Sequence, residues 1–220
     1  MSVSSLAARL PDVPTLIAWS QSLAVLDAVL SPEWDVRYFS FDAQWAEGEQ
    51  LASMRNGSGD EYSFTFTPAG TYGRGFDHES ELSAFIRRPP RVWPGLLEPV
   101  PDVLRPAADE PAFTMGDVPS VTLTLWRLDG AAAWSHGVPV DAELPDGDDG
   151  GTWLFDELDG NPRTYAAFAL EYYDRTLDLA AVQHVFAHRP LTDDVVRTLN
   201  AEVTLADLAA DLQAIGYPPA

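Results

Sequence analysis

The sequence predicts an α+β fold: an antiparallel meander sheet preceded by an N-terminal helix and followed by a C-terminal cluster of helices. Three observations carry that reading. The chain opens with apolar residues at helical spacing, continues through runs of period two, and closes on a series of helix-capping signals. Helices segregated from strands in this way argue against a doubly wound α/β sheet, in which the two alternate. The expected organisation is a sheet domain over residues 1–160, carrying the N-terminal helix, with a helical appendage over residues 161–220 packed on it.

Between Pro14 and Leu30, the residues Leu16, Ile17, Leu23, Leu26, Val29 and Leu30 recur at helical spacing and predict a helix with one buried face. Ser31 and Pro32 end it. Tyr38, Phe39, Phe41 and Trp45 then follow a β-type pattern, and after the short turn AEGEQ a second run passes through Leu51 and Met54. Asn56, Gly57, Ser58 and Gly59 tolerate positive φ and mark a hairpin loop. In EYSFTFT, Tyr62, Phe64 and Phe66 alternate with Ser63, Thr65 and Thr67, the pattern of a half-buried strand. Pro68, Ala69 and Gly70 turn the chain into TYGRGFD, whose glycines imply a bulge or the close approach of another backbone.

Prolines between Pro89 and Pro119 leave room only for short helices, and Trp93, Leu96, Leu97, Val103, Leu104 and Phe113 are expected to pin this segment to the core. Strands resume at VTLTLWRL, and Asp129 with Gly130 turns the chain into AAAWSHGV. Asn161 before Pro162 signals a helix start, as Asp178, Thr192 and Thr204 do for three more. Gly216 is the expected C-terminal stop.

Composition bounds the partners. At 220 residues, with 46% hydrophobic and 11% aromatic content, the chain can fill a sizeable core and lies far from the signature of disorder. Its 34 acidic residues against 13 basic ones, every one of them Arg, leave a formal charge of −21. A field of that sign repels phosphate backbones and anionic lipid, so neither nucleic acid nor a membrane is an expected partner; it favours a basic protein. Cysteine is absent, which excludes disulfides, thiolate metal sites and a cysteine nucleophile. The first residues lack a basic region followed by an apolar run, and no segment approaches the roughly 18 apolar residues of a membrane span. The expected address is the cytoplasm.

Three clusters are candidates for function. Asp77, His78 and Glu79 lie in GFDHESE, where a strand is expected to give way to a helix. A histidine flanked by carboxylates can move protons or hold a hard metal ion, but the same residues suit a helix N-terminus capped by Asp77 or Ser80. His184 and His188 in VQHVFAH lie four apart, on one side of the expected helix, a spacing that can chelate zinc. No Glu follows His184 to complete an HExxH motif, and His188 also suits the helix C-terminal dipole. The third cluster is Asp141, Glu143, Asp146, Asp148, Asp149, Asp156, Glu157 and Asp159, free of basic residues and the expected partner-binding surface. Asp146, Asp148, Gly151 and Glu157 also match positions 1, 3, 6 and 12 of a calcium loop, although Gly150 stands where a ligand oxygen belongs and no helix precedes. Arg87, Arg88 and Arg91 form one local basic cluster, expected to pair with nearby carboxylates.

The runs SMRNGSGDEYSFTFTPAGTYGRGFDHES, WPGLLEPVP, PAFTM, LDGNPRTYAAFALEYYD and AEVTLADLAADLQAIGYP resemble an uncharacterised family of bacterial proteins over most of the chain. That resemblance implies no activity, so no catalytic residue follows from it. In size and charge the chain is similar to acidic immunity and antitoxin-type proteins of bacteria. These features predict an acidic intracellular interaction module, of immunity or inhibitor type, that binds a basic protein. The alternative is a metal-dependent hydrolase in which Asp77, His78 and Glu79 meet His184 and His188. No phosphate-binding loop, dinucleotide fingerprint, GxSxG elbow or HExxH motif occurs, so no cofactor is expected and the enzyme reading is the weaker. The sequence leaves the oligomeric state open.

Overall fold

The computed structural model describes residues 2–218. Helices α1 (Val3–Arg9) and α2 (Val13–Leu30) lead into strands β1 (Phe39–Ala46), β2 (Glu49–Arg55), β3 (Glu61–Thr67) and β4 (Gly70–Phe76). The proline-rich segment holds the short helix α3 (Arg105–Ala108) and a two-stranded ladder of β5 (Thr114–Met115) and β6 (Val118–Pro119). Strands β7 (Leu123–Leu128) and β8 (Ser135–His136) follow, and the chain closes with α4 (Pro162–Tyr173), α5 (Leu179–Phe186), α6 (Asp193–Leu199) and α7 (Ala209–Ile215). The sheet is antiparallel with order β1-β2-β3-β4-β7-β8, so the fold is α+β as the sequence predicts. The chain forms two compact units, Met1–Leu10 with Arg55–Asp156 and Pro11–Met54 with Glu157–Ala220. The helices beyond residue 161 thus share a unit with α2, β1 and β2.

In that helical unit α2 is the central element. Asp12 caps it by accepting from the Thr15 N–H at 2.9 Å, and Pro14 sits in its first turn. Every residue from Ser20 to Leu30 is buried, so the single buried face expected from the spacing is replaced by burial all round. The reason is tertiary: β1 packs on one side while α5, α6 and α7 pack on others. Two buried amides are satisfied across these contacts, Gln21 Nε2 donating to Ile215 O and Asn200 Nδ2 to Val29 O, each at 2.8 Å, while the buried Ser20 hydroxyl has no partner among the described residues. By length and hydropathy α2 could cross a membrane, contrary to the expectation that no segment approaches a span. Its polar residues Ser20, Gln21, Ser22 and Asp27 interrupted the apolar run in sequence yet lie buried in the fold.

The buried centre of this unit is a carboxylate. Asp27 accepts from the Tyr38 N–H at 2.9 Å, the Phe39 N–H at 2.8 Å, the Tyr165 hydroxyl at 2.7 Å and the Tyr173 hydroxyl at 2.8 Å. Complete burial pushes its carboxyl up to about 6, against the downward pull of those four bonds. Asn161, Asp178 and Thr192 cap α4, α5 and α6 as the sequence predicts. Thr204 does not cap a helix: its hydroxyl bonds Asp207 within a turn, and α7 starts only at Ala209. Gly216, at φ 69°, ends α7.

In the other unit β3 and β4 pair without a bulge from Glu61↔Phe76 to Thr67↔Gly70. Within β4, Gly73 and Gly75 are approached by rings rather than by backbone, whereas Gly70 at its start is approached by the backbone of Arg127 and Leu128. A Cβ on Gly73 would fall 2.5 Å from Phe64 Cε1, and one on Gly75 would fall 3.1 Å from Phe155 Cε2. Ser63 and Thr65 are buried too, so β3 is covered on both faces rather than one. Tyr62 and Phe64 pack with Phe155 on one face. Tyr72 and Trp126 lie in one core cluster with Val100, Leu104, Ala107 and Ala108 from the proline-rich segment. Val103, expected in that core, is 60% exposed.

Candidate functional site

The site is built on the turn between β2 and β3. Asn56 Oδ1 accepts from the Ser58 and Asp60 N–H groups at 2.8 and 3.1 Å, while Asn56 Nδ2 donates to Asp60 Oδ2 at 2.7 Å. Gly59, at φ 114°, lets the turn close against the His78 ring. Asp60, only 7% exposed, accepts through Oδ1 from the His78 N–H at 2.9 Å and from His78 Nδ1 at 2.7 Å. The bond to Asp60 raises the His78 imidazole above its ordinary value. Partial burial works upward on Asp60, but its bonds from His78 and Asn56 outweigh it and hold the carboxyl low.

Asp77 follows directly on β4. Its Oδ1 accepts from the Glu79 N–H and its Oδ2 from the Trp153 indole N–H, both at 3.0 Å. No helix begins here, contrary to the capping expectation: turns closed by Ser80 N–H to Asp77 O and Ser83 N–H to Ser80 O lead into a single 3-10 turn at Ala84–Ile86. Ligand atoms of Asp60, Asp77 and His78 all lie within 4.8 Å of one another, a grouping that could hold a metal ion. Glu79 is exposed and stands outside it.

His184 and His188 belong to the other unit and form no part of that group. The helical spacing that would pair them is lost, because α5 stops at Phe186 and His188 turns left-handed at φ 54°. His184 Nε2 is bonded to Pro190 O at 2.8 Å. His188 packs on Tyr217 at 4.7 Å with its Nε2 buried and unpartnered, and burial lowers its imidazole. Burial disfavours the charged form of the ring, which is the form that a helix C-terminus attracts.

The acidic stretch divides. Asp148 Oδ1 accepts from the Ser80 hydroxyl and the Gly150 N–H at 2.8 and 3.1 Å, and Oδ2 from the Glu81 N–H at 2.8 Å. Asp149 accepts from the Thr152 N–H at 2.9 Å and from its hydroxyl; against the effect of partial burial, these bonds hold the carboxyl low. The two carboxylates therefore brace the loop, and only a 3-10 turn, Thr152–Phe155, follows it, which is not the frame of a calcium-binding hand. Asp141, Glu143, Asp146 and Asp156 are exposed, the last 3.6 Å from Arg9. Glu157 and Asp159 fall in the helical unit, where Asp159 accepts from the Asn161 N–H at 2.7 Å and the Thr164 hydroxyl at 2.6 Å.

Between the 77–81 and 145–153 turns opens a cleft of 290 Å³. Asp77, Glu79, Glu81, Asp146, Asp148 and Asp149 line it, together with the Trp153 indole, which is 44% exposed, and among the described residues no Arg or His does. Carboxylates beside an aromatic face suit a guanidinium or ammonium group, which gains charge attraction and a cation–π contact. Sequence reading missed Asp60 and Trp153, with only the NGSGD turn signal pointing near the first, whereas Glu81 closes the GFDHESE run it singled out. Among the described residues no carboxylate pairs with Arg87, Arg88 or Arg91, contrary to the expectation. Arg87 lies 3.7 Å above the Trp93 ring, and Arg88 donates to the carbonyls of Phe85 and Arg87.

No family model, curated protein or solved structure matches the chain. Fold and site together define a class: an α+β protein with an acidic cleft edged by tryptophan.

Proposed function

We propose that this chain is an acidic protein-interaction module, of immunity or inhibitor type, whose cleft receives a basic side chain of a protein partner. The observation that carries the proposal is the meeting of six carboxylate-bearing residues and an exposed indole around one cleft that no Arg among the described residues lines. A charge of −21 steers a basic partner toward the molecule, and the cleft offers that partner's Lys or Arg a specific seat. The indole face adds about 0.5–2 kcal/mol to such a contact. A cytoplasmic setting belongs to the same proposal. The test is affinity capture from cells of the source organism with the native chain and with the double substitution Glu81→Arg, Asp146→Arg. A basic protein held by the native chain, released by salt and lost with the substitutions, is the expected result. Equal capture by both proteins would remove the cleft from the interaction.

A second reading, metal-dependent hydrolysis, has the grouping of Asp60, Asp77 and His78 in its favour. It has less support, because both Asp60 oxygens already accept hydrogen bonds and His184 and His188 stand in the other unit. Calorimetric titration with zinc and manganese decides it: saturable heat abolished by His78→Ala supports the metal site, and absence of heat removes it.

A further inference from the structure

The arginine cluster plays no part in the cleft, yet it begins one continuous strip of surface on the same unit. Arg87 stacks on Trp93 at 3.7 Å, and the Trp93 indole N–H donates to Val140 O at 2.8 Å. The backbones of 93–95 and 138–140 run side by side, Val138 N–H bonding Gly95 O at 3.0 Å and Val140 N–H bonding Pro94 O at 2.9 Å. Val138 and Val140 are 60% and 53% exposed, and the exposed carboxylates of Asp141 and Glu143 follow directly in the chain. The strip thus reads arginines, tryptophan, two valines, carboxylates. Among the described residues none of Arg87, Arg88 and Arg91 has an ion pair.

We propose that this strip is a two-fold contact between two copies of the chain, the arginines of one copy meeting Asp141 and Glu143 of the other across Val138 and Val140. A surface that is basic at one end, apolar in the middle and acidic at the other end is complementary to itself under two-fold rotation. Exposed valines beside a half-buried tryptophan, flanked by arginine, have the composition of an interface centre. The charge of −21 makes two copies repel wherever acid meets acid, so the basic cluster marks where a second copy can approach. At about 0.15 M salt the Debye length of about 8 Å confines that repulsion to near surfaces, while direct contacts persist.

The experiment is sedimentation equilibrium at about 0.15 M salt on the full chain, on an arginine-reversed variant (Arg87→Glu, Arg88→Glu, Arg91→Glu) and on a carboxylate-reversed variant (Asp141→Arg, Glu143→Arg). Circular dichroism checks the fold of each. The expected result is a dimeric wild type, two monomeric variants, and a heterodimer when the two variants are mixed. Val138→Glu with Val140→Glu, which leaves all five charged residues in place, is also expected to be monomeric. A monomeric wild type overturns the proposal, as does a dimer that survives in both reversed variants. A monomeric wild type that binds polyglutamate through the arginines would assign the strip to a different acidic partner and overturn it equally.

Discussion

Tyr165 donates its phenolic hydrogen to Oδ1 of Asp27 across 2.7 Å in the fully buried centre of the helical unit. The bond ties α4 to α2, residues 138 positions apart, and it is one of four that a single carboxylate accepts. A hydrogen bond to a charged, buried acceptor contributes about 1.5–3 kcal/mol. Tyr165→Phe is therefore expected to lower the unfolding free energy by about that amount, measured by urea denaturation with an unchanged m-value.

The same carboxylate sets a pH dependence. Burial raises Asp27 from 3.8 to about 6 in the folded chain, so between those values the native state binds more protons than the unfolded one. Its contribution to stability is present in full below about pH 4 and is lost as pH rises through about 6. Integrated over that window the loss is about 3 kcal/mol. Denaturation curves at pH 4.5 and 7 are expected to show this term in the wild type but not in Asp27→Asn. Identical pH slopes in the two proteins would assign the titration elsewhere.

At the candidate site the signs differ. Asp60 raises His78, so the stabilising charge on the imidazole is present below its unfolded value and is lost as pH rises through the raised folded one. Asp60 is itself held low, so its share is present above 3.8 and fades as pH falls through its lowered value. An NMR titration of the imidazole protons is expected to place His78 above 6.5 and, in Asp60→Asn, to bring it back down. An unmoved midpoint would mean that Asp60 does not hold the ring in solution.

Gly73 tests the packing of the sheet. A Cβ there meets the ring of Phe64, which is fully buried and pairs across from it in the ladder. Overpacking of this kind costs about 1–3 kcal/mol. Gly73→Ala is expected to lower the melting temperature accordingly, and combining it with Phe64→Leu is expected to recover part of the loss.

What the sequence by itself determined was local. Asn161, Asp178 and Thr192 cap helices because the bonds they accept come from backbone two or three residues ahead, and EYSFTFT is a strand because its period is its own. Thr204 shows the limit even there, since Asp207 captured its hydroxyl within a turn. Tertiary structure alone decided which faces were covered: α2 is buried all round and Thr65 is buried because other segments pack over positions that look polar or half exposed in isolation. It also assembled the site, joining His78 to Asp60 across 18 positions and Trp153 to Asp77 across 76. Periodicity and capping are encoded within a few residues, whereas burial and side-chain meetings depend on what the rest of the chain brings alongside, and no short window carries that information.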